Sequence, residues 1–251
     1  MIPMMKRVIL LLVFLLAATP AHADIYAHPT WDNLVKTLVR YGALDLSDNK
    51  ILDEYAIVTD CDIYHAFVGN DFKWNAIRDS IRQSIDINLT KFPSAYVYED
   101  KLSLDHYDFQ QQMFRFSSNN PLQKVNAFFL YRTNGLTCGG IKINFLPKSF
   151  RAVLDESVSL PGLPLTQRSA DALLRRMDAN NNTDRMVYVR FNLHINYIGK
   201  VAKNAYPINN DPVLVQQGAV EGAPILLNAQ IDTIDFFEDE HHSKLIYSYQ
   251  P

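Results

Sequence analysis

The sequence predicts an α+β protein, with a mainly antiparallel sheet of about six to eight strands and helices packed on it. Two observations predict this fold class. The stretch 185–199 alternates apolar and polar residues with the two-residue period of a half-buried strand. Helical spacing of apolar residues is concentrated before Pro93, with one further helix later in the chain. Most intervals between predicted strands are too short for crossover helices, which disfavours parallel pairs.

The first 23 residues have the three parts of a secretory signal peptide. Lys6 and Arg7 precede an apolar run, 8–18, and the small-residue motif at 21–23 is a cleavage site. The run is shorter than the roughly 20 apolar residues of a spanning helix. We therefore expect cleavage after Ala23 rather than an uncleaved anchor, and no transmembrane segment in the mature chain.

Residues 24–251 are predicted to form a single domain, with a helical part, 24–93, and a β-rich body, 94–251. The composition is 48% hydrophobic and 12% aromatic, as in ordinary globular proteins, and no Gly/Ser-rich or acidic linker divides the chain. The chain has 24 basic against 27 acidic residues, and two basic residues leave with the leader. Without clusters of Lys and Arg, such a chain is not expected to bind nucleic acid.

Cys61 and Cys138 are the 2 cysteines of the chain. In an oxidising export compartment an even pair predicts a disulfide, although two buried free thiols remain the alternative because spacing gives no evidence of proximity. Neither cysteine has a CxxC partner, so no zinc site is predicted. The leader and the two-cysteine mature chain resemble many exported proteins of Gram-negative bacteria. This resemblance implies a periplasmic or secreted protein and assigns no functional residue.

The helical part begins with a helix that Thr30 is suited to cap. A second helix is predicted to start at Ser47 or Asp48 and to break near Asp60. An unbroken helix would turn Asp62 into the apolar side, where an unpaired carboxylate is costly. A buried, paired Asp62 is the alternative.

The third predicted helix begins at Asp71 and ends before Pro93. Its apolar stripe has members three and four residues apart: Trp74, Ile77, Ile81, Ile85 and Leu89. A helix next to a sheet in one domain normally packs its apolar side on that sheet, and we expect this here. A seam for a binding partner is the alternative.

Within the β-rich body, strands are predicted at 95–104, 107–117, 124–134 and 140–146. A helix capped by Thr166 is predicted to follow from Gln167 to Met177. In the central strand, 185–199, the predicted inward residues are Val187, Val189, Phe191, Leu193, Ile195 and Tyr197. The stretch 223–237 is predicted to share the sheet and to form a hairpin with 244–249. Its two faces are Ile225, Leu227, Ala229, Ile231 and Thr233 against Asn228, Gln230 and Asp232.

Polar residues of these strands are the first candidate site: Arg190, Asn192, His194 and Asp232. His194 beside Asp232 would orient an imidazole for acid–base chemistry. The solvated face of an antiparallel sheet has the same alternation, and we prefer that interpretation.

The excursion 200–222 is the second candidate, because Tyr206 and Leu214 are apolar groups in a loop-like segment. Exposed, they would form a binding surface. Covered by the core, they would be structural.

The catalytic signatures GxSxG, GxGxxG and GxxxxGK[ST] are absent. The turn 238–243 is rich in carboxylates and imidazoles, but five consecutive residues cannot converge on one ion, so neither a metal nor a cofactor is predicted. The sequence therefore predicts an exported, non-catalytic protein that binds another envelope protein or a small envelope component. The alternative is a hydrolase that uses His194 and Asp232.

Overall fold

The computed structural model describes residues 26–117, 122, 124–133, 135, 137–199 and 224–251. The predicted leader and the excursion 200–222, with Tyr206 and Leu214, lie outside these residues. The described part places a group of helices before a mostly antiparallel sheet, with one further helix later in the chain. The α+β prediction is confirmed.

The first two helices begin at residues with short polar side chains. Helix α1 spans Trp31–Arg40, and the Thr30 hydroxyl accepts a hydrogen bond from the backbone N–H of Asn33 at 3.3 Å. Helix α2 spans Asn49–Thr59 and is capped by Asp48. Both caps satisfy N–H groups that have no partner within the helix, and both are as predicted.

The predicted break at Asp60 is confirmed. Asp60 leaves the helical conformation with φ −150° and ψ 77°, and its carboxylate accepts from the backbone N–H of Ile63 at 3.2 Å. A separate helix α3 follows, Cys61–Phe67. Asp62 is exposed, so its charge stays in water.

Two longer helices complete the set. Helix α4 spans Asp71–Asn88, with Asn70 as its cap, and continues into a 3₁₀ turn, Leu89–Lys91. Helix α5 spans Gln167–Ala179 and is capped by Thr166, as predicted. None of these helices in the described residues combines the length and apolar character needed to cross a membrane.

Ten strands follow the first four helices in the described residues. They are β1 (Ala95–Asp108), β2 (Met113–Phe116), β3 (Val125–Arg132), β4 (Thr137–Cys138), β5 (Ile141–Lys142), β6 (Ser149–Val158), β7 (Gly162–Pro164), β8 (Met186–Ile198), β9 (Ile225–Phe237) and β10 (Leu245–Tyr249). The main sheet has the order β3-β6-β9-β8-β1-β2-β7, with β10 also paired to β9, while β4 and β5 form a separate small hairpin. The predicted adjacency of β8 and β9 is confirmed.

Strand β6 differs from the prediction in two ways. No strand was expected at 149–158, and β6 pairs with β9 in parallel, from Phe150 opposite Ile225 to Leu154 opposite Ala229. Its consecutive buried residues show none of the alternation of a half-buried strand, because β6 lies inside the sheet with both faces covered. The chain between β6 and β9, which includes α5 and β8, is long enough to permit parallel pairing.

The central strand β8 carries the core on one face as predicted, from Val187 to Ile195. Tyr197 was also expected inside but is 53% exposed, because the pairing with β9 shifts register between Ile195 and Tyr197. A second shift lies at Asp232 of β9. Beyond it, Ile234 and Phe236 are buried instead of Thr233, since a one-residue shift exchanges the two faces of a strand.

Candidate functional site: a groove between the helices

A groove of about 1030 Å³ lies between α4 on one side and α2 and α3 on the other. Helix α1 and the turn after α4 contribute residues to one of its ends. Cavities that hold small ligands in proteins have volumes of roughly 300–1,000 Å³, so the groove is at the upper limit of that range.

Helix α4 contributes one continuous face to the groove. Its lining residues recur at intervals of three and four: Lys73, Ala76, Ile77, Ser80, Ile81, Ser84, Ile85 and Asn88. On a helix these positions form a single stripe along the axis. Small residues alternate with isoleucines along this stripe, and the small side chains leave the space that the groove occupies.

The opposite wall is apolar as well. Helix α2 contributes Tyr55 and Ala56, and helix α3 contributes Ile63 and Phe67. Ile63 is 40% exposed and Phe67 is 37% exposed, whereas large apolar side chains of a core are usually covered. Together with α4 they form an apolar surface that is open to a ligand.

Two hydroxyl groups in the middle of the groove form hydrogen bonds within the protein itself. The Thr59 hydroxyl donates to the carbonyl oxygen of Tyr55 at 2.8 Å, and the Ser80 hydroxyl donates to that of Ala76 at 3.0 Å. Burial raises the pKa of Tyr55 to about 12, assisted by the negative charge of Asp32, so its phenol stays neutral. The middle of the groove therefore presents mainly carbon atoms.

The two ends of the groove differ in polarity. One end is formed by Asn33, Lys36, Asn88 and Lys91, together with Phe92 and Pro93. The other end contains Asp60 and Lys73 near Phe67. The first end has two lysines and no carboxylate among its lining residues. The second end has one lysine and one carboxylate.

The two walls are joined by a charged pair and an aromatic contact. Arg78 of α4 donates to both carboxylate oxygens of Asp53 of α2, and the Trp74 indole N–H donates to the same carboxylate at 3.0 Å. The Trp74 ring meets Tyr64 of α3 edge to face at 5.2 Å.

Trp74 and Ile85 of the predicted apolar stripe are buried, whereas Ile77 and Ile81 are partly exposed and face the groove. Ile85 belongs to the hydrophobic core, and Ile81 and Leu89 pack against it, so the core covers part of this stripe and the groove borders the rest.

Helix α3 is attached to the body of the protein through a disulfide between Cys61 and Cys138 of β4, which confirms the predicted bridge. No residue of α3 is buried. The segment after β5 is held independently by Glu54 of α2, whose carboxylate accepts from the backbone N–H groups of residues 144, 145 and 146 at 2.5–2.8 Å. Glu54 is only 5% exposed, so these bonds compensate for its burial.

His65 lies beside the disulfide. Potential ligand atoms of Cys61, His65 and Cys138 lie within 4.8 Å of one another, the one such group of three in the described residues. Metal ions bind the thiolate form of cysteine, and both sulfurs are consumed by the bridge. The oxidised protein therefore presents a single imidazole here.

The candidate residues of the sheet face are distributed over separate contacts. Arg190 donates to Glu99 at 3.0 and 2.8 Å, and Asn192 donates to the side chains of Thr233 and Asp235 at 2.6 and 2.8 Å. These bonds satisfy the polar groups between neighbouring strands, as on a structural sheet face.

The two proposed acid–base residues, His194 and Asp232, lie beside different neighbours. His194 lies opposite Gln230 in the strand pairing, while the Asp232 carboxylate accepts from the Tyr26 hydroxyl at 3.0 Å.

The charged turn after β9 does not converge on one point. Glu238 accepts from Arg176 of α5 at 2.7 Å, and Asp239 accepts from the backbone of the turn itself. His242 folds back onto the sheet, with its side chain 9% exposed, its ring perpendicular to Phe237 and Nδ1 3.4 Å from Glu99. These residues close the end of the sheet.

The groove was not predicted as a site, although its signal is present in α4. Ala76, Ser80 and Ser84 recur at a spacing of four and lie next to the apolar stripe. Periodicity shows that these residues share a side of the helix. It does not show whether a sheet, a helix or a ligand covers that side.

A family model matches residues 47–172, a range that includes α2, α3, α4 and both cysteines; its description is "Domain of unknown function (DUF4852)". No curated protein and no solved structure matches the chain.

Proposed function

We propose a function for this chain, which belongs to the family described as a domain of unknown function (DUF4852). It is an exported, non-catalytic protein, and its groove binds the extended apolar chain of a small amphiphile. The groove between α4 and the α2–α3 wall carries this proposal. The ligand is the small envelope component that the sequence predicts as a partner.

The length of the groove supports an extended chain as the ligand. Its lining residues on α4 run from Lys73 to Asn88. At 1.5 Å per residue this stripe is about 22 Å long. A hydrocarbon chain laid along it would contact isoleucines on one wall and Phe67 on the other, and would remove apolar surface from water.

A peptide helix is a less suitable ligand for this groove. A helix with its side chains is about 10–12 Å across, so it would rest on the groove with one face covered and the rest in solvent. A single hydrocarbon chain is much narrower and can be largely enclosed, as ligands in cavities of this size usually are.

Export is supported by the leader and by the cysteines. The disulfide between Cys61 and Cys138 is compatible with an oxidising compartment, where such bridges form and persist. The alternative hydrolase has less support, because the described contact of Asp232 is with Tyr26. Assays with ester and amide substrates test it directly, since a hydrolase would lose turnover on His194→Ala.

Blocking the groove tests the proposed function. Ser80 is exposed on the groove side of α4, and Gln83 is exposed on the same helix but does not line the groove. We expect the neutral fluorescent probe N-phenyl-1-naphthylamine to bind the wild-type protein and to be displaced by 1-hexadecanol. Ser80→Trp should abolish this binding, whereas Gln83→Trp should preserve it.

Two results would contradict the proposal. One is a wild-type protein that binds neither the probe nor the alcohol. The other is binding that survives Ser80→Trp in a protein whose circular dichroism is unchanged, which would place the ligand elsewhere.

A further inference from the structure

We propose that the groove selects long-chain fatty acids and holds the carboxylate at the end formed by Lys36 and Lys91. The hydrocarbon tail then runs along α4 toward Ile63 and Phe67. This inference rests on the proposed function and adds the charge and the orientation of the ligand.

The lysine end combines positive charge with amide groups. Lys91 lies in the turn after α4, and its ammonium donates to the Asn88 side-chain oxygen at 3.3 Å, a neutral partner that leaves its charge uncompensated. Lys36 of α1 pairs with Asp32 at 2.6 Å, and both side chains are partly exposed. An ammonium has three donor positions, so each lysine keeps donors for a ligand.

A third cation reinforces this end. Arg40, one turn after Lys36 on α1, donates to the carbonyl oxygens of Thr90 and Phe92, next to Lys91. These carbonyl acceptors are neutral, so the guanidinium keeps its full charge. Three cations against Asp32 give this end a net positive charge, which favours an anionic head group.

The opposite end is suited to the tail. Lys73 lies over the Phe67 ring, 5.9 Å from its centroid, and the Asp60 carboxylate, of opposite charge, also lines the groove. The Asp60 carboxylate already accepts from the backbone of α3. With the charges balanced and an aromatic ring present, this end has no preference for an anion.

The distance between the two ends agrees with this orientation. The α4 stripe is about 22 Å long, close to the length of an extended chain of sixteen carbons. The carboxylate of such an acid reaches Lys91 when its methyl end lies beside Phe67. A shorter acid would leave Ile63 and Phe67 partly exposed, so affinity should rise with chain length up to about sixteen carbons.

Competition between palmitate and 1-hexadecanol for the groove tests the head-group preference. The two ligands share a sixteen-carbon chain and differ in charge. We expect palmitate to displace the bound probe at a concentration at least about fivefold lower than the alcohol, as one partly exposed ion pair can provide. In the double variant Lys36→Met and Lys91→Met this preference should disappear, because the carboxylate then has no ammonium group to pair with. Lys101→Met, an exposed lysine of β1 outside the groove, is the matched control and should behave as wild type.

The outcomes separate the inference from the function on which it rests. Equal affinities for palmitate and the alcohol in the wild-type protein would overturn the inference and keep the groove. The inference would also be overturned if the preference for palmitate survived the double variant but was lost in Lys73→Met, since the carboxylate would then lie at the other end. Failure of both ligands to bind would overturn the proposed function itself.

Discussion

Arg78 and Asp53 form a two-pronged ion pair across the helical part of the protein, with Nε–Oδ1 at 2.6 Å and Nη2–Oδ2 at 2.5 Å. The pair is only partly exposed and joins α4 to α2. Trp74 donates to the same carboxylate, so Asp53 connects two residues of α4 at once. The separation of the groove walls depends on this contact, because α4 and α2 line opposite sides.

We predict that Asp53→Ala lowers the free energy of unfolding by about 1–3 kcal/mol, because Arg78 and Trp74 lose a charged acceptor in a partly buried place. Urea denaturation measures the change. Asp79→Ala is the control, since Asp79 pairs with Arg82 on the exposed surface of α4 and should cost less than about 0.5 kcal/mol. Equal costs for the two substitutions would contradict a special role of Asp53.

The disulfide is predicted to hold the α3 wall of the groove. In the double variant Cys61→Ser and Cys138→Ser, α3 has no buried residue to keep it in place. Its amide hydrogens should exchange faster, and the apolar probe should bind more weakly. The loss of stability should be about 4.5 kcal/mol in the chain-entropy model for a separation of 77 residues.

Hydrogen exchange resolved by segment gives the decisive comparison for that variant. The amides of β8 and β9 are the internal control, because these strands lie in the centre of the sheet. If α3 remains as protected as in the oxidised protein, packing rather than the bridge holds the wall.

Glu54→Gln is predicted to destabilise the protein by about 1–3 kcal/mol. The buried carboxylate accepts from three backbone N–H groups, and an amide offers one oxygen and brings a donor into the same space. Thermal or urea unfolding measures this. Glu156→Gln, at an exposed position of β6, is the control and should lie within about 0.5 kcal/mol of wild type. A similar small change for Glu54→Gln would show that its bonds are replaceable.

His242 is predicted to make stability fall at acid pH. Burial lowers the pKa of its imidazole, and Arg190 adds to this effect while Glu99 opposes it. The unfolded chain, with a histidine pKa of about 6.5, then binds a proton that the folded chain binds less readily. This contribution is therefore complete above that pH and is lost as the pH falls toward the folded pKa.

The free energy of unfolding at about pH 8 and pH 5, measured for wild type and His242→Gln, checks the sign. Other groups contribute equally to both proteins, so the wild type should lose more stability on acidification than the variant. Parallel pH profiles would mean that His242 titrates alike in both states.

Local chemistry in the sequence determined much of the fold. Thr30, Asp48 and Thr166 are capping residues, and each lies at the start of a helix because its oxygen satisfies free N–H groups within a few residues. The alternation of β8 identified its core face up to Ile195 for a similar reason, since side-chain direction along one strand depends only on the backbone. The even pair of cysteines, in a chain predicted to be exported, indicated the bridge from Cys61 to Cys138.

Only the tertiary structure decided what covers each apolar face. Strand β6 was missed because its neighbour β9 comes from a distant part of the chain and, together with β3, buries it within the sheet. The burial of Phe236 instead of Thr233 follows from a register shift against β8, a contact between strands rather than a property of either. The apolar side of α4 was predicted to meet the sheet, yet Ile77 and Ile81 face α2 and α3 across an open groove. Periodicity places residues on one side of an element, whereas long-range packing determines whether that side meets the core or a ligand.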